Sequence, residues 1–246
     1  MNPTLYHAAV FGATSAIATE TLRALVSSRP SSLLLIGRHA DRLETLAADL
    51  RSRGAACRVL ALDLLDPDIP WLQHLADTPW DLFLIAHGSL PDQESTLADP
   101  HHIGREIDIN FISPVRIAAA CTTILENQGT GTLAIFGSVA GDRGRASNYL
   151  YGSTKAGIDA FTSGLRHRFA RFPGLRVVLL KPGMTDTPMT AAMPKGPLFS
   201  SAEKVGQLAC KAILQGKAVA YLPGWWFIIM TLIRHLPRFL LHRTKL

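Results

Sequence analysis

Seven short apolar runs, separated by helical stretches, constrain this chain more than any other feature. They fall at 4–11, 32–37, 57–62, 82–86, 132–137, 176–181 and 218–222. Strands alternating with helices give an α/β fold in which each helix carries the chain back for the next parallel strand. The pattern predicts a doubly wound, mostly parallel seven-stranded Rossmann sheet, with ligands at the carboxyl ends of its strands. No repeat, low-complexity segment or linker divides 1–223. Residues 224–246 read as a separate amphipathic extension.

The first run meets G-A-T-S-A-I-A and then a helical stretch to about Ser28. A strand, a glycine turn and a helix start are what a pyrophosphate site needs, because backbone N–H groups and the helix dipole point at the anion. Gly12 lets the backbone come close, and Thr14, Ser15 and Ile17 complete the loop. Ala16 and Ala18 stand where a three-glycine pattern would have its second and third glycines, so a plain β–α turn is the other reading. The second run ends at Arg38-His39, where such a fold meets the adenosine ribose. With no acid at 36–40, an arginine there suits the 2′-phosphate of NADP. Arg42 reads as the solvated face of the next helix. The third run ends at Asp63-Leu64, a candidate adenine edge; a turn-forming Asp before Asp66-Pro67 is the rival explanation. The fourth run ends at Ala86, His87 and Gly88, with His87 either facing the cofactor or capping the strand.

Farther on, Ser138 closes the fifth run and Tyr151 opens a Y-x-x-x-K with Lys155. Four residues apart on a helix, phenol and ammonium lie on one face. The ammonium is expected to favour the phenolate and draw its pKa toward the working pH. Ser138 would hydrogen-bond the same substrate oxygen. Such a trio suits interconversion of a carbonyl and an alcohol. Tyr149 is the rival phenol, but residue 153 is serine. Asn110 precedes an interruption at Ser113-Pro114 in a long helix over 103–126. It either satisfies backbone groups freed by the kink or holds a water beside the ammonium. After the sixth run, Pro182-Gly183 breaks the chain, and Thr185 and Thr187 either bond a carboxamide or cap the turn. Residues 189–200, without periodicity, read as a mobile lid over a hydrophobic substrate.

Charge separates body from tail. The net charge is +6, but from Lys204 onward there are seven Lys or Arg and no Asp or Glu, so the body is close to neutral. That disfavours a nucleic-acid partner and favours a local anionic one. In the tail, W-W-F-I-I-M-T-L-I precedes Arg234, His235, Arg238, His242 and Lys245, which on one helix lie opposite Leu232, Leu236, Phe239 and Leu240. Central arginines make a membrane span costly, and Pro237 must kink the helix or start a second one. The tail is therefore expected to lie in a membrane interface; a subunit interface in a homo-oligomer, or a helix covering the core, is the alternative. Cys57, Cys121 and Cys210 form no C-x-x-C and read as reduced thiols of a cytoplasmic chain. The histidine spacing suggests no metal site, and the N-terminus shows no signal-peptide pattern.

Together these residues resemble the short-chain dehydrogenase/reductase family over 4–223. The resemblance implies that Asn110, Ser138, Tyr151 and Lys155 are catalytic. It places Gly12, Thr14, Ser15 and Ile17 on an NADP(H) loop and Arg38 at the 2′-phosphate. It puts Asp63 and Leu64 at the adenine, Ala86 and Gly88 beside them, and Pro182, Gly183 and Thr187 near the nicotinamide. Tyr151 and Lys155 would touch the cofactor as well. I-A-H-G at 85–88 stands where the family usually has N-N-A-G, which removes an asparagine that supports the central strand. G-A-T-S-A-I-A, D-R-G-R-A-S-N-Y-L-Y-G-S-T-K-A-G and Y-L-P-G-W-W are similar to a subgroup that contains a bacterial reductase of a decaprenylphosphoryl-linked keto-pentose. The expectation is an NADPH-dependent ketone reductase. Its substrate would be a polyprenyl-phosphate-linked keto sugar of the cell envelope, reached from the inner membrane face, with a partner oxidase upstream. Another lipophilic ketone (steroid, retinoid, long-chain acyl) or a non-catalytic NADP(H)-binding subunit are the alternatives.

Overall fold

The computed structural model describes residues 5–76, 78–241 and 243; His242 and Lys245 of the tail's basic face lie outside them. The chain runs β1 (Tyr6–Phe11), α1 (Ala16–Ser28), β2 (Ser31–Gly37), α2 (Ala40–Ser52), β3 (Ala56–Ala61) and β4 (Leu82–Ile85). Then come α3 (Gln93–Leu97), α4 (Pro100–Ile107), α5 (Ser113–Gln128), β5 (Gly131–Phe136), α6 (Tyr149–Phe169) and β6 (Leu175–Pro182). After the short strands β7 (Thr185–Asp186) and β8 (Ser200–Ser201) follow α7 (Ala202–Leu214), β9 (Val219–Leu222), α8 (Trp226–His235) and α9 (Arg238–Leu241). Seven strands form one sheet in the order β3-β2-β1-β4-β5-β6-β9, and every adjacent pair is parallel.

Strand periodicity divides the apolar side chains between two layers. Ala8, Val10, Leu33, Leu35, Leu82 and Leu84 face one way, onto Leu22 and Leu25 of α1, Leu43 and Leu50 of α2, and Val205 and Ala209 of α7. Their neighbours Ala9, Phe11, Leu34, Ile36, Phe83 and Ile85 face the other way, onto Ile117 and Cys121 of α5 and Ile158 and Leu165 of α6. A sheet buried on both faces is what parallel strands require. The strand order reverses between β1 and β4, and the gap opened there at the carboxyl ends is where such folds take ligands.

Two local features depart from the sequence reading. The long helix over 100–128 is not broken at Ser113-Pro114; it widens into one π-helical turn, Asp108–Ile112, with the Ser113 N–H bonding back to the Asp108 carbonyl. Pro114 has no N–H to donate, and the wider turn absorbs that gap without ending the helix. The tail is two short helices, the second of the two outcomes Pro237 left open and not the single helix on which its faces were drawn. Leu236 is extended (ψ 125°) and α9 starts after Pro237, so the basic and apolar faces drawn on one continuous helix do not align.

Candidate active site

Each strand of the central sheet hands a functional residue to the same edge. Gly12 follows β1 with φ +79°, in the left-handed region that glycine adopts freely. A Cβ at Gly12 would lie 2.5 Å from the His87 backbone nitrogen, so no side chain fits between the β1 and β4 ends. The helix behind it begins at Ala16 with no side-chain cap and no acid in its first turn, leaving its N–H groups directed at the cleft. A cleft of about 370 Å³ runs from Arg38 and Arg42 past Gly12, Thr14, Ser15 and Ile17 to Asp63, Leu64, Ala86 and Gly88. It shares Ser15, Ile17, Ala86, Gly88 and Thr187 with a second pocket of about 220 Å³ that holds Ser138, Tyr151, Lys155, Pro182 and Gly183. The two form one groove along the strand ends, and every cofactor candidate named from the sequence lines it.

In the second pocket Ser138, the N-cap of a 3-10 turn over 139–142, accepts a hydrogen bond from the Ala140 N–H at 3.1 Å and shares the pocket wall with Tyr151. Lys155, on α6 one turn beyond Tyr151, holds its ammonium 5.5 Å from the centre of the phenol ring. Among the described residues no carboxylate pairs with Lys155. Burial alone brings its pKa down to about 8. Tyr151 moves against expectation: burial pushes the phenol up to about 12, opposed only by the nearby Ser138 hydroxyl. The ammonium sits over the ring face, so desolvation outweighs its pull on the phenolic oxygen. Tyr149 is exposed and lines neither pocket.

Asn110 is fully buried and lies behind the groove. Its Oδ1 accepts from the Ser89 N–H at 3.1 Å, and its Nδ2 donates to Ser89 Oγ at 2.9 Å and Glu106 Oε2 at 3.1 Å. It thus ties the loop after β4 to the π-helical turn and leaves the kink's own backbone groups to others. A methyl built on Gly88 would meet Asn110 Oδ1 at 2.9 Å and Lys155 Nζ at 3.4 Å, so both groups face the same glycine.

His87 supplies the support counted as missing when I-A-H-G replaced N-N-A-G. Ser113 Oγ donates its one proton to the Leu64 carbonyl at 2.7 Å, so its 2.9 Å bond to His87 Nε2 makes Nε2 the donor. That relay joins the end of β4 to α5 and the loop after β3. His87 Nδ1 is left as a buried acceptor without a partner, on the wall shared by both pockets. Burial, with Lys155 and Arg38 nearby, lowers its pKa to about 3. Asp63 does what its turn reading said, accepting from the Leu65 N–H at 3.0 Å, while also lining the cleft. Thr185 bonds the Gly183 carbonyl at 3.0 Å, and the Thr187 N–H bonds Thr190 Oγ1 at 3.2 Å. Residues 187–199 are fastened at both ends by the β7–β8 pair and send Met189 and Met193 into the substrate side.

Several residues escaped the sequence reading. Glu106 lies one helical turn before Asn110, a spacing that signals a shared face. Arg42, in the first turn of α2, lines the same cleft as Arg38 in the loop before it. Nothing in the sequence signals Trp226. It packs so closely on Gly183 that a Cβ there would lie 1.8 Å from its Nε1, and it walls the catalytic pocket. The conformation of Gly12, the paired arginines, the uncapped helix start and the unpartnered His87 acceptor together fit a phosphorylated dinucleotide lying along the groove.

The short chain dehydrogenase family profile matches residues 6–197. An uncharacterized oxidoreductase of Mycobacterium tuberculosis, Rv2073c, is 32% identical over 239 residues, covering 95% of each chain. An uncharacterized oxidoreductase encoded in the mprA 5′ region of Streptomyces coelicolor is 32% identical over 243 residues, covering 95% of this chain and 94% of its own. Among solved structures, a short-chain dehydrogenase from Sphingobium yanoikuyae in complex with NADPH superposes with a TM-score of 0.79 at 23% identity, covering 95% of this chain and 97% of its own. The chain belongs to the short-chain dehydrogenase family.

Proposed function

We propose that the protein is an NADPH-dependent reductase of lipophilic ketones, with Asn110, Ser138, Tyr151 and Lys155 as its working residues. The observation that carries this reading is that Ser138, Tyr151 and Lys155, whose ammonium lies 5.5 Å from the centre of the phenol ring, line one pocket that shares a wall with the dinucleotide cleft. The Arg38 and Arg42 pair at the far end supports the 2′-phosphorylated cofactor, as does the NADPH held by the Sphingobium enzyme of the same fold. Reduced nicotinamide, when bound, supplies a hydride to the carbonyl carbon. Ser138 orients the carbonyl oxygen, and the Tyr151 phenol, still protonated at neutral pH, gives that oxygen its proton. Lys155 stabilises the phenolate left behind and, as in the family, holds the nicotinamide ribose. Asn110 holds the Ser89 loop and keeps Gly88 against the ammonium.

The pocket walls favour an apolar substrate body: Leu90, Val139, Met184, Met189, Met193 and Trp226 line it. On the outer surface Phe227, Ile228, Leu232, Phe239 and Leu240 are exposed. A lipid-borne ketone at the inner face of a membrane suits both features, and a keto sugar on a polyprenyl phosphate is the form we favour. A non-catalytic NADP(H)-binding subunit is the rival reading, and the complete Ser138, Tyr151 and Lys155 arrangement counts against it. Tyr151→Phe is the test. NADPH affinity, read from nucleotide fluorescence, should stay within a few fold of wild type. Turnover of a long-chain ketone should fall about 10³-fold or more, since the group giving the proton is lost. Undiminished turnover would remove Tyr151 from the mechanism.

A further inference from the structure

Two arginines, two residues apart in the loop after Ser138, have opposite fates. Arg143 is fully used: its Nη1 donates to the Arg234 carbonyl at 2.9 Å and its Nη2 to the Leu236 carbonyl at 3.5 Å, closing the end of α8. Arg145 makes no side-chain hydrogen bond or ion pair among the described residues. It is partly buried on the wall of the catalytic pocket, and its Nε is buried with no partner. The nearest charge opposing its desolvation is Asp142, and that carboxylate is already held by Lys181 and by the Tyr221 hydroxyl. The loop cannot drift outward to hydrate the guanidinium, because Gln93 holds it at both sides, through the Ala146 carbonyl at 2.5 Å and the Leu150 N–H at 3.2 Å.

The rest of the pocket agrees in sign. No Asp or Glu lines it, and its two cations are Lys155 and Arg145. Asn148, on the same wall as Arg145, has a buried Oδ1 that also lacks a partner. A partly buried cation without a counter-charge costs stability, and here it lines the pocket to which the reductase reading assigns the substrate.

We infer that Arg145 is an anion-recognition residue, so that the ketone taken by this site carries an oxyanion, a carboxylate or a phosphate, which the guanidinium meets. The inference deepens the reductase reading and rests on it for the word ketone, but the anion site stands on its own geometry. Asn148 Oδ1, beside it, accepts a hydroxyl of the same molecule.

The test uses four ketones of equal chain length: a keto acid, its methyl ester, a keto-alkyl phosphate and the corresponding keto alcohol. NADPH oxidation gives kcat/KM for each with the full-length protein, Arg145→Gln and Arg145→Lys. A guanidinium–oxyanion contact predicts a wild-type preference for at least one anionic ketone over its neutral partner of about 10–100-fold. The ratio should fall toward one in Arg145→Gln and lie between in Arg145→Lys, which keeps the charge without the fork. Which pair shows the preference separates carboxylate from phosphate. No wild-type preference in either pair, or a ratio that Arg145→Gln leaves unmoved, overturns the proposal. If wild type oxidises NADPH with none of the four, the reductase reading falls and binding decides. Decyl phosphate should then bind more tightly than decanol to wild type by tryptophan fluorescence and with equal affinity to Arg145→Gln. Equal affinities in wild type would end the proposal on that arm too. Loss of an unpaired cation should not lower the melting temperature of Arg145→Gln, and a melt of each variant checks that binding is compared between folded proteins.

Discussion

At the scale of single residues, the site is defined by what burial does to two groups. Lys155 loses hydration and gains no carboxylate, so its pKa stands near 8, below the 10.5 it would have in an open chain. The unfolded chain holds that proton to higher pH, so the folded state carries a penalty that is full below about pH 8. The penalty fades as pH rises from there toward 10.5. Lys155→Met removes the buried charge while roughly preserving volume. At pH 7 it should raise the melting temperature by several degrees, for a penalty of a few kcal/mol, and the gap to wild type should narrow at pH 9.5. Melts at the two pH values check this, and a variant that melts lower at pH 7 would contradict it. The same variant should lose turnover, a trade of stability for activity at a working residue. The Tyr151–Lys155 spacing was legible from four positions in the chain. The direction of the phenol's shift was not, because spacing along a helix says nothing about how deep the helix lies or which part of the ring the ammonium meets.

Between elements, one polar cluster holds the catalytic edge together. Lys181 at the end of β6 is ion-paired with Asp142 in the turn after Ser138 and with Asp159 of α6. Tyr221 of β9 adds a 2.9 Å hydrogen bond to Asp142, and the Lys181 ammonium lies 5.2 Å from the centre of its ring. Two strands, the Ser138 turn and the helix of Tyr151 are thereby joined at one point. Lys181→Met would leave the Asp142 carboxylate, 1% exposed, without its counter-charge. Breaking one side of a buried pair costs about 3–5 kcal/mol. Urea unfolding should show that loss as a lower midpoint with an unchanged slope, and a change under about 1 kcal/mol would mean the cluster is not a structural joint. Strand and helix positions were legible because apolar periodicity is local. The π-helical turn at Asn110, the β7–β8 pair and this cluster were not, since each depends on partners fifteen or more residues away.

Over the whole molecule, the tail both completes the site and faces outward. Trp226 and Met230 of α8 are buried against Val139 and Met184, while Ile228 and Leu232 of α8 and Phe239 of α9 are 63–68% exposed and Phe227 rests edge-on against the Tyr221 ring of β9. With ten residues α8 is about 15 Å long, half of the roughly 30 Å a hydrocarbon core requires, so it suits a surface and not a span. A truncation at 224 would strip a wall from the catalytic pocket and confuse two effects. Replacing Ile228, Leu232 and Phe239 together by Ser removes most of the outer face and leaves the inner one. That triple variant should lose the flotation with anionic vesicles expected of wild type, while its melting temperature stays within about 3 °C and NADPH still binds. Equal flotation of both would turn the face over to another partner.

Short stretches of chain carried the alternation of elements, the parallel sheet, the dinucleotide groove and the Tyr151–Lys155 spacing, because strand burial, turn chemistry and helical spacing are local. Only the tertiary structure decided that Trp226 walls the site, that His87 braces the central strand, that Asn110 holds Ser89, and that Arg143 is spent while Arg145 is free to meet a substrate. Those outcomes depend on which distant groups the fold brings within a hydrogen bond, and on how much water it leaves around them.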